Sequence, residues 1–264
     1  MRAQRKAILV DLKRCIGCQS CVLACKELHA FPDKPEKDLS PTALTIVRES
    51  HGKFIRRFCM HCQDPTCASA CPVGALKKTD AGPVVYLADR CIGCRYCLQA
   101  CPFQVPRYEW DRLVPFVKKC DMCAARLAKG QVPACVEACP VQASQFGDRD
   151  EMLQEAHRRI SEDRDYVQSI FGSEEVGGTS VLFISDMPFE ELGFPVNLPK
   201  EPIPAIAAGA LKEVPMVVGV GGSVLAALYW ITQRRQEVAL AEAEESERAK
   251  PAKTGSRGRE EERS

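Results

Sequence analysis

Four cysteine-dense segments narrow what this chain can fold into. CIGCQSCVLACK runs from Cys15 to Lys26, and CIGCRYCLQACP from Cys91 to Pro102, each with its cysteines spaced x2, x2 and x3. Between them lie Cys59, Cys62, Cys67 and Cys71, spaced x2, x4 and x3. After them come Cys120, Cys123, Cys135 and Cys139, spaced x2, x11 and x3. These groups use all 16 cysteines of the 264 residues, and none lies beyond Cys139. With aromatic residues at only 6%, such a chain draws stability from what its thiols hold as well as from apolar burial.

Three chemistries use cysteines this densely. Disulfides would have to join cysteines two residues apart or leave the triplets without a purpose. Structural zinc uses two separated pairs rather than C-x2-C-x2-C triplets. The run C-x2-C-x2-C-x3-C-P is the signature of [4Fe–4S] clusters, in which three thiolates of a tight loop hold one cluster and the fourth reaches the neighbouring one. Gly17 and Gly93 allow close approach of the backbone to inorganic sulfide, and Pro72, Pro102 and Pro140 redirect the chain after a fourth cysteine.

The exchange of fourth ligands then predicts a pairing. Groups two and three, joined by the short stretch VGALKKTDAGPVVYLADR, form one unit, with Cys59, Cys62, Cys67 and Cys101 on one cluster and Cys91, Cys94, Cys97 and Cys71 on the other. Groups one and four form the second unit. There Cys15, Cys18 and Cys21 share a cluster with Cys139, and Cys120, Cys123 and Cys135 share one with Cys25. The expected fold class is α+β: two ferredoxin-like units, one nested inside the other, holding four [4Fe–4S] clusters on residues 1–147, plus a C-terminal transmembrane helix.

The joining stretch reads as a hairpin around Asp80-Ala81-Gly82. Asp148 with Glu151 reads as a capping box opening a helix whose Met152, Leu153, Ala156 and Ile160 share a face. GGTSVLFIS, from Gly177 to Ser185, reads as a buried strand, and Pro188 to Pro204 as an extended connector. The segment 148–213 thus holds a helix, a strand and a proline-rich link. VPMVVGVGGSVLAALYWIT, 214–232, is uncharged and close to the roughly 20 residues that cross a bilayer. Pro215 would fall in its first turn, and Tyr229 and Trp230 near the far interface. Residues 233–264 read as a charged, disordered tail.

Formal net charge is +1, from 36 basic and 35 acidic residues, which gives no footprint for nucleic acid. The apolar run Ala7 to Val10 is too short for a secretory signal, so export is expected to depend on a signal-bearing partner. Arg234-Arg235 directly after the span, against Lys212 beside Glu213 before it, predicts a cytoplasmic tail and a cluster domain on the outer face of the cell membrane.

The motif set CIGCQSCVLACK, CMHCQDPTCASACPVGAL, CIGCRYCLQACPF and KKCDMC…CVEACPVQA resembles the four-cluster iron–sulfur subunits of membrane-bound molybdenum or tungsten oxidoreductases and nickel–iron hydrogenases. EEVGGTSVLFISDMPFEELG and the terminal span are similar to the formate dehydrogenase and hydrogenase-2 members. The resemblance implies a subunit without catalytic residues. It would pass electrons between a catalytic molybdopterin or nickel–iron subunit and an integral membrane cytochrome b or quinone-reactive subunit. Lys26 departs from the pattern, standing where proline follows the other fourth cysteines. The rival reading is an independent polyferredoxin or a redox sensor; the span argues against the first, and the lack of a spare cysteine against the second.

His61, inside the second group, reads either as a donor to cluster sulfur or as an ordinary loop residue. His29, His51 and His157 lack metal-ligand spacing and read as surface residues. Gly219, Ser223 and Ala227 form either a stripe for close helix approach or simply the small residues common in membrane helices.

Overall fold

A computed structural model of the chain describes residues 5–248 except 112 and 114. The chain divides into two units between Ala208 and Gly209. The first unit is organised by its first strand, β1 (Lys6–Asp11). Ala7, Ile8 and Leu9 are completely buried there, as suits an unbroken apolar run covered on both faces. Then come α1 (Ser20–Leu28), the hairpin of β2 (Ile46–Ser50) and β3 (Lys53–Arg57), α2 (Thr66–Ser69), and the hairpin of β4 (Leu76–Lys78) and β5 (Val84–Tyr86). They are followed by α3 (Tyr96–Ala100), the short ladder of β6 (Arg107–Tyr108) and β7 (Val117–Lys118), α4 (Ala124–Leu127) and α5 (Ala134–Glu137). β8 (Ser144–Asp148), α6 (Arg149–Glu162) and β9 (Val181–Ile184) complete the strands and α-helices before residue 203.

β1 lies between β8 and β9, antiparallel to the first and parallel to the second. Successive side chains of a strand point to opposite faces, and the two faces of this sheet serve different cores. Ile8, Val10, Val181 and Phe183 join the larger core, together with Phe58, Met60, Cys59 and Cys62. Leu9, Leu182 and Ile184 face Ala156 and Ile160 of α6, with Met152 and Leu153 packed at the edge. The helix face read from the sequence is therefore the one buried. Full burial of a side chain such as Ile160 contributes about 1.5–3 kcal/mol. The capping box forms as expected, the Asp148 N–H donating to the Glu151 carboxylate at 3.4 Å.

At the end of β1, Asp11 is completely buried and Arg159 of α6 is 3% exposed. The Arg159 Nη1 donates to Asp11 Oδ2 at 2.9 Å, and the Tyr166 hydroxyl donates to the same oxygen at 2.8 Å. This ties the helix-covered face of the sheet to the first strand.

The hairpin between groups two and three forms, with Leu76 opposite Tyr86 and Lys78 opposite Val84. Its turn carries Gly82 at φ 119°, and a Cβ there would lie 2.8 Å from the Lys6 carbonyl oxygen. Only glycine fits both demands.

In the second unit the apolar run is helical, but it is not bounded as expected. The helix α7 spans Ile203–Arg248. It begins inside the supposed extended connector and continues through the first half of the supposed disordered tail; residues 249–264 lie outside the described residues. The flanks explain this: AIAAGALKE and QEVALAEAEE are rich in alanine, leucine, glutamate and glutamine, all strong helix formers. Pro215 consequently sits inside the helix rather than in its first turn, a placement that membrane helices tolerate. Ser223 and Thr232 donate their hydroxyls to the carbonyls of Gly219 and Leu228, at 2.8 and 2.6 Å. Polar groups met inside the helix itself suit an apolar surrounding. This is a helix long and apolar enough to cross a membrane.

Candidate iron–sulfur centres

None of the sixteen cysteines is joined in a disulfide. The first C-x-x-C step of each group is a tight turn whose third residue has a positive φ: 69° at Gly17, 70° at Gly93, 49° at His61 and 56° at Met122. The turn points backbone N–H groups at sulfur, as from Gly93 to Cys91 Sγ at 3.4 Å and from Met122 to Cys120 Sγ at 3.3 Å. Glycine marks this conformation in the sequence at two steps only. His61 and Met122 adopt it at a strain of about 1–3 kcal/mol each, and both are buried.

His61 is therefore no ordinary loop residue. It is completely buried; its Nδ1 accepts the Val84 N–H at 2.9 Å, and its carbonyl accepts from the Lys78 ammonium at 2.8 Å. It anchors the second cysteine loop to β5. Burial, with Lys119 and Lys78 nearby, holds the ring neutral. His29 is half-buried and stacks on Phe31, whereas His51 and His157 are exposed as expected.

Short helices carry the later cysteines of each group. Cys67, Cys97 and Cys135 lie in α2, α3 and α5, and each of these helices stops short of Cys71, Cys101 or Cys139, which proline follows. α1 behaves differently. With Lys26 in place of proline it runs on past Cys25 to Leu28. The Lys26 ammonium, 5% exposed, turns back to the carbonyls of Pro32 and Lys34 and to Glu36 at 3.5 Å. A buried side-chain staple thus directs the chain where proline does so elsewhere.

The thiols gather across the groups rather than within them. Cys15, Cys18, Cys21 and Cys139 line one cavity. Cys71, Cys91, Cys94 and Cys97 line another, where the Tyr108 hydroxyl meets Cys97 Sγ at 2.9 Å. Burial pushes the Cys67 thiol up to about 12, and Cys59 and Cys101 add repulsion; Cys62 is raised by burial and then by Cys59, Cys101 and Cys67. Burial likewise pushes Cys25 up to about 12, with Cys135 and Cys123 as its thiol neighbours. Cys120 is raised by burial, then by Cys25 and Cys59. Cys71 moves the other way: against burial, the N–H groups of residues 73 to 76 together lower it. Crowded, buried thiolates are unfavourable alone, and a bound metal cation reverses that balance.

A family described as "4Fe-4S dicluster domain" matches residues 50–149, which hold groups two, three and four. The "Hydrogenase-2 operon protein HybA" of Escherichia coli O157:H7 is 35% identical over 237 residues, covering 71% of this chain and 72% of its own. The "Formate dehydrogenase, nitrate-inducible, iron-sulfur subunit" of Escherichia coli K12 is 37% identical over 234 residues, covering 79% and 78%. A protein of Nitratidesulfovibrio vulgaris is 38% identical over 269 residues, covering 95% of this chain and 72% of its own. The chain belongs to this family of [4Fe–4S] iron–sulfur proteins.

The residues present fit the family's cluster. The donors are all thiols. Among the described residues no three Cys, His, Asp or Glu side chains close on one point as they would around a single ion. Thiols that encircle a space without converging suit a group that offers each one its own iron, whereas one zinc would draw four sulfurs to about 2.3 Å.

Arg56, which sequence alone does not reveal, is 3% exposed and lines the cavity of Cys15, Cys18, Cys21 and Cys139. Its only sequence signal is a basic pair, Arg56-Arg57, directly before the second cysteine group.

Proposed function

We propose that this chain is an electron relay that does no bond-making chemistry. It would carry four [4Fe–4S] clusters between a catalytic molybdopterin or nickel–iron subunit and an integral membrane cytochrome b or quinone-reactive subunit. The observation that supports the reading is that cysteines of different groups line shared cavities. Cys97 and Cys67 are neighbours, as are Cys59 and Cys120, and Cys135 and Cys21. The order that follows is the set of Cys71, Cys91, Cys94 and Cys97; then Cys59, Cys62, Cys67 and Cys101; then Cys25, Cys120, Cys123 and Cys135; then Cys15, Cys18, Cys21 and Cys139. The two sets at the ends contain the two exposed thiols, Cys94 and Cys18. Exposed Ile92 and Tyr96 border the first of these, and Ile16 and Leu23 the second. Such rims suit docked redox partners, one at each end.

On this reading residues 1–147 form two nested units that hold the clusters, 148–213 brace them, 214–232 cross the membrane, and 233–264 form the tail. Purified anaerobically, the protein should contain about 16 iron and 16 acid-labile sulfide per chain. It should show reducible centres yet oxidise neither formate nor hydrogen on its own. About eight iron atoms, tightly bound zinc, or turnover by the isolated chain would each defeat the proposal.

The relatives' printed names associate them with formate dehydrogenase and hydrogenase-2, and the same two catalytic classes are proposed as partners here. For orientation, Arg234 and Arg235 outweigh Lys212 next to the span, so the tail faces the cytoplasm and the cluster domain the outside. Protease added to intact spheroplasts should digest the cluster domain and spare the tail. Protection of the cluster domain with loss of the tail would reverse this topology.

A further inference from the structure

Arg56 is a buried cation without a buried anion. Its Nε donates to the Thr45 hydroxyl at 3.1 Å and its Nη1 to the Ser144 hydroxyl at 3.2 Å, both neutral oxygens. The guanidinium also lies 4.1 Å from the centre of the Phe58 ring. Among the described residues no carboxylate stands within ion-pair distance of it. A guanidinium does not deprotonate in proteins, and a charge taken from water without a partner is costly. The structure must offer it a counter-charge of another kind.

The groups it faces are thiols. Arg56 lines the cavity of Cys15, Cys18, Cys21 and Cys139. It also shares a side-chain hydrogen bond with Cys135, with Cys21 and Cys120 as further thiol neighbours, and Cys15 and Cys25 face it in turn. These five cysteines come from two of the four thiol sets, so the guanidinium stands where both sets meet.

We propose that Arg56 is a fixed counter-charge shared by two neighbouring clusters, the one on Cys15, Cys18, Cys21 and Cys139 and the one on Cys25, Cys120, Cys123 and Cys135. A cluster with four thiolates is anionic and gains one further negative charge when it accepts an electron. A permanent cation beside it stabilises the reduced form more than the oxidised form and raises the midpoint potential. One cation between two clusters raises both and screens the repulsion of an electron on one by an electron on the other. Arg56 is a tuning residue and takes no part in ligation. This rests on the cluster-relay reading above.

The test is an anaerobic redox titration of the full chain followed by electron paramagnetic resonance, with iron and sulfide counted in the same samples. Arg56→Gln removes the charge; Thr45→Asp keeps the arginine but places a carboxylate against it. In either variant two of the four midpoints should fall, by at least tenfold in the reduction equilibrium constant, or 59 mV for one electron. Arg56→Lys should hold those two near their original values. Unmoved midpoints in a variant that loads fully, or an equal shift of all four, would overturn the proposal. If neither neutralised variant loads fully, loading of Arg56→Lys decides: full iron restored by the ammonium supports a counter-charge, and its loss there refutes one. A wild-type chain without four clusters would defeat the relay reading and overturn this proposal with it.

Discussion

Cys25→Ser should empty the cluster seated on Cys120, Cys123 and Cys135 and leave the cluster on Cys15, Cys18 and Cys21 in place. Along the chain Cys25 belongs with the first group, only four residues after Cys21. In space its thiol is buried beside Cys135 and Cys123, because α1 carries it one helical turn beyond the loop that holds the first three cysteines. A serine hydroxyl is a poor substitute for a thiolate on iron, so iron should fall by about four atoms per chain and one of four resonance signals should vanish. Cys139→Ser should make the converse change, since Cys139 shares a cavity with Cys15, Cys18 and Cys21. Loss of the first group's signal in Cys25→Ser would mean that each motif ligates its own cluster, and the exchanged pairing would be wrong.

The second large effect lies away from the thiols. Asp11→Ala should lower stability by about 3–5 kcal/mol, the loss of two buried hydrogen bonds to a carboxylate at about 1.5–3 kcal/mol each. Arg159, 3% exposed, would keep only the Glu155 carboxylate against its Nε at 2.7 Å, and the Tyr166 hydroxyl would lose its acceptor. For a unit of this size each kcal/mol moves the thermal midpoint by about 2–4 °C. The midpoint should therefore drop by roughly 6–20 °C in scans at one rate with the clusters loaded. Asp163→Ala is the control. It removes an exposed partner of Lys13 and should cost no more than about 1 kcal/mol. Equal effects from the two substitutions would show that the buried pair contributes nothing special.

What the sequence revealed and what it hid follow from the range of the interactions concerned. The cysteine groups, the hairpin at 76–86 and the capped helix beginning at Arg149 are written in neighbouring residues, and each could be read locally. The central place of β1 could not. Ala7 to Val10 is a four-residue apolar run whose meaning depends on partners near residues 146 and 182. His61 and Met122 stayed hidden because they take a conformation that glycine announces and other residues do not. The place of Arg56 could not be read locally either, because the thiols of its cavity come from segments far from it along the chain. The bounds of α7 were misjudged for the opposite reason. Hydropathy marks where a membrane-crossing stretch begins and ends, whereas helix propensity decides how far the helix continues, and here alanine and glutamate carry it on to Arg248.

The position of β1 also governs the order in which the molecule can be made. Its two neighbours in the sheet leave the ribosome more than a hundred residues after it, and on the proposed pairing Cys15 waits equally long for Cys139. On that same proposal every ligand of the inner pair of clusters is available by the time Cys101 has emerged, joined by local turns and short helices. The outer pair still lacks its last cysteines, and β1 has no partner. Contacts so distant along the chain form late because their loops must first be closed. Maturation should thus run from the inside outward, with the inner clusters inserted on a chain still being synthesised and the outer ones sealed in only as β8 and β9 close on the first strand. Until then the apolar run Ala7 to Val10 is exposed to solvent, and a delay in iron supply would leave it free to aggregate.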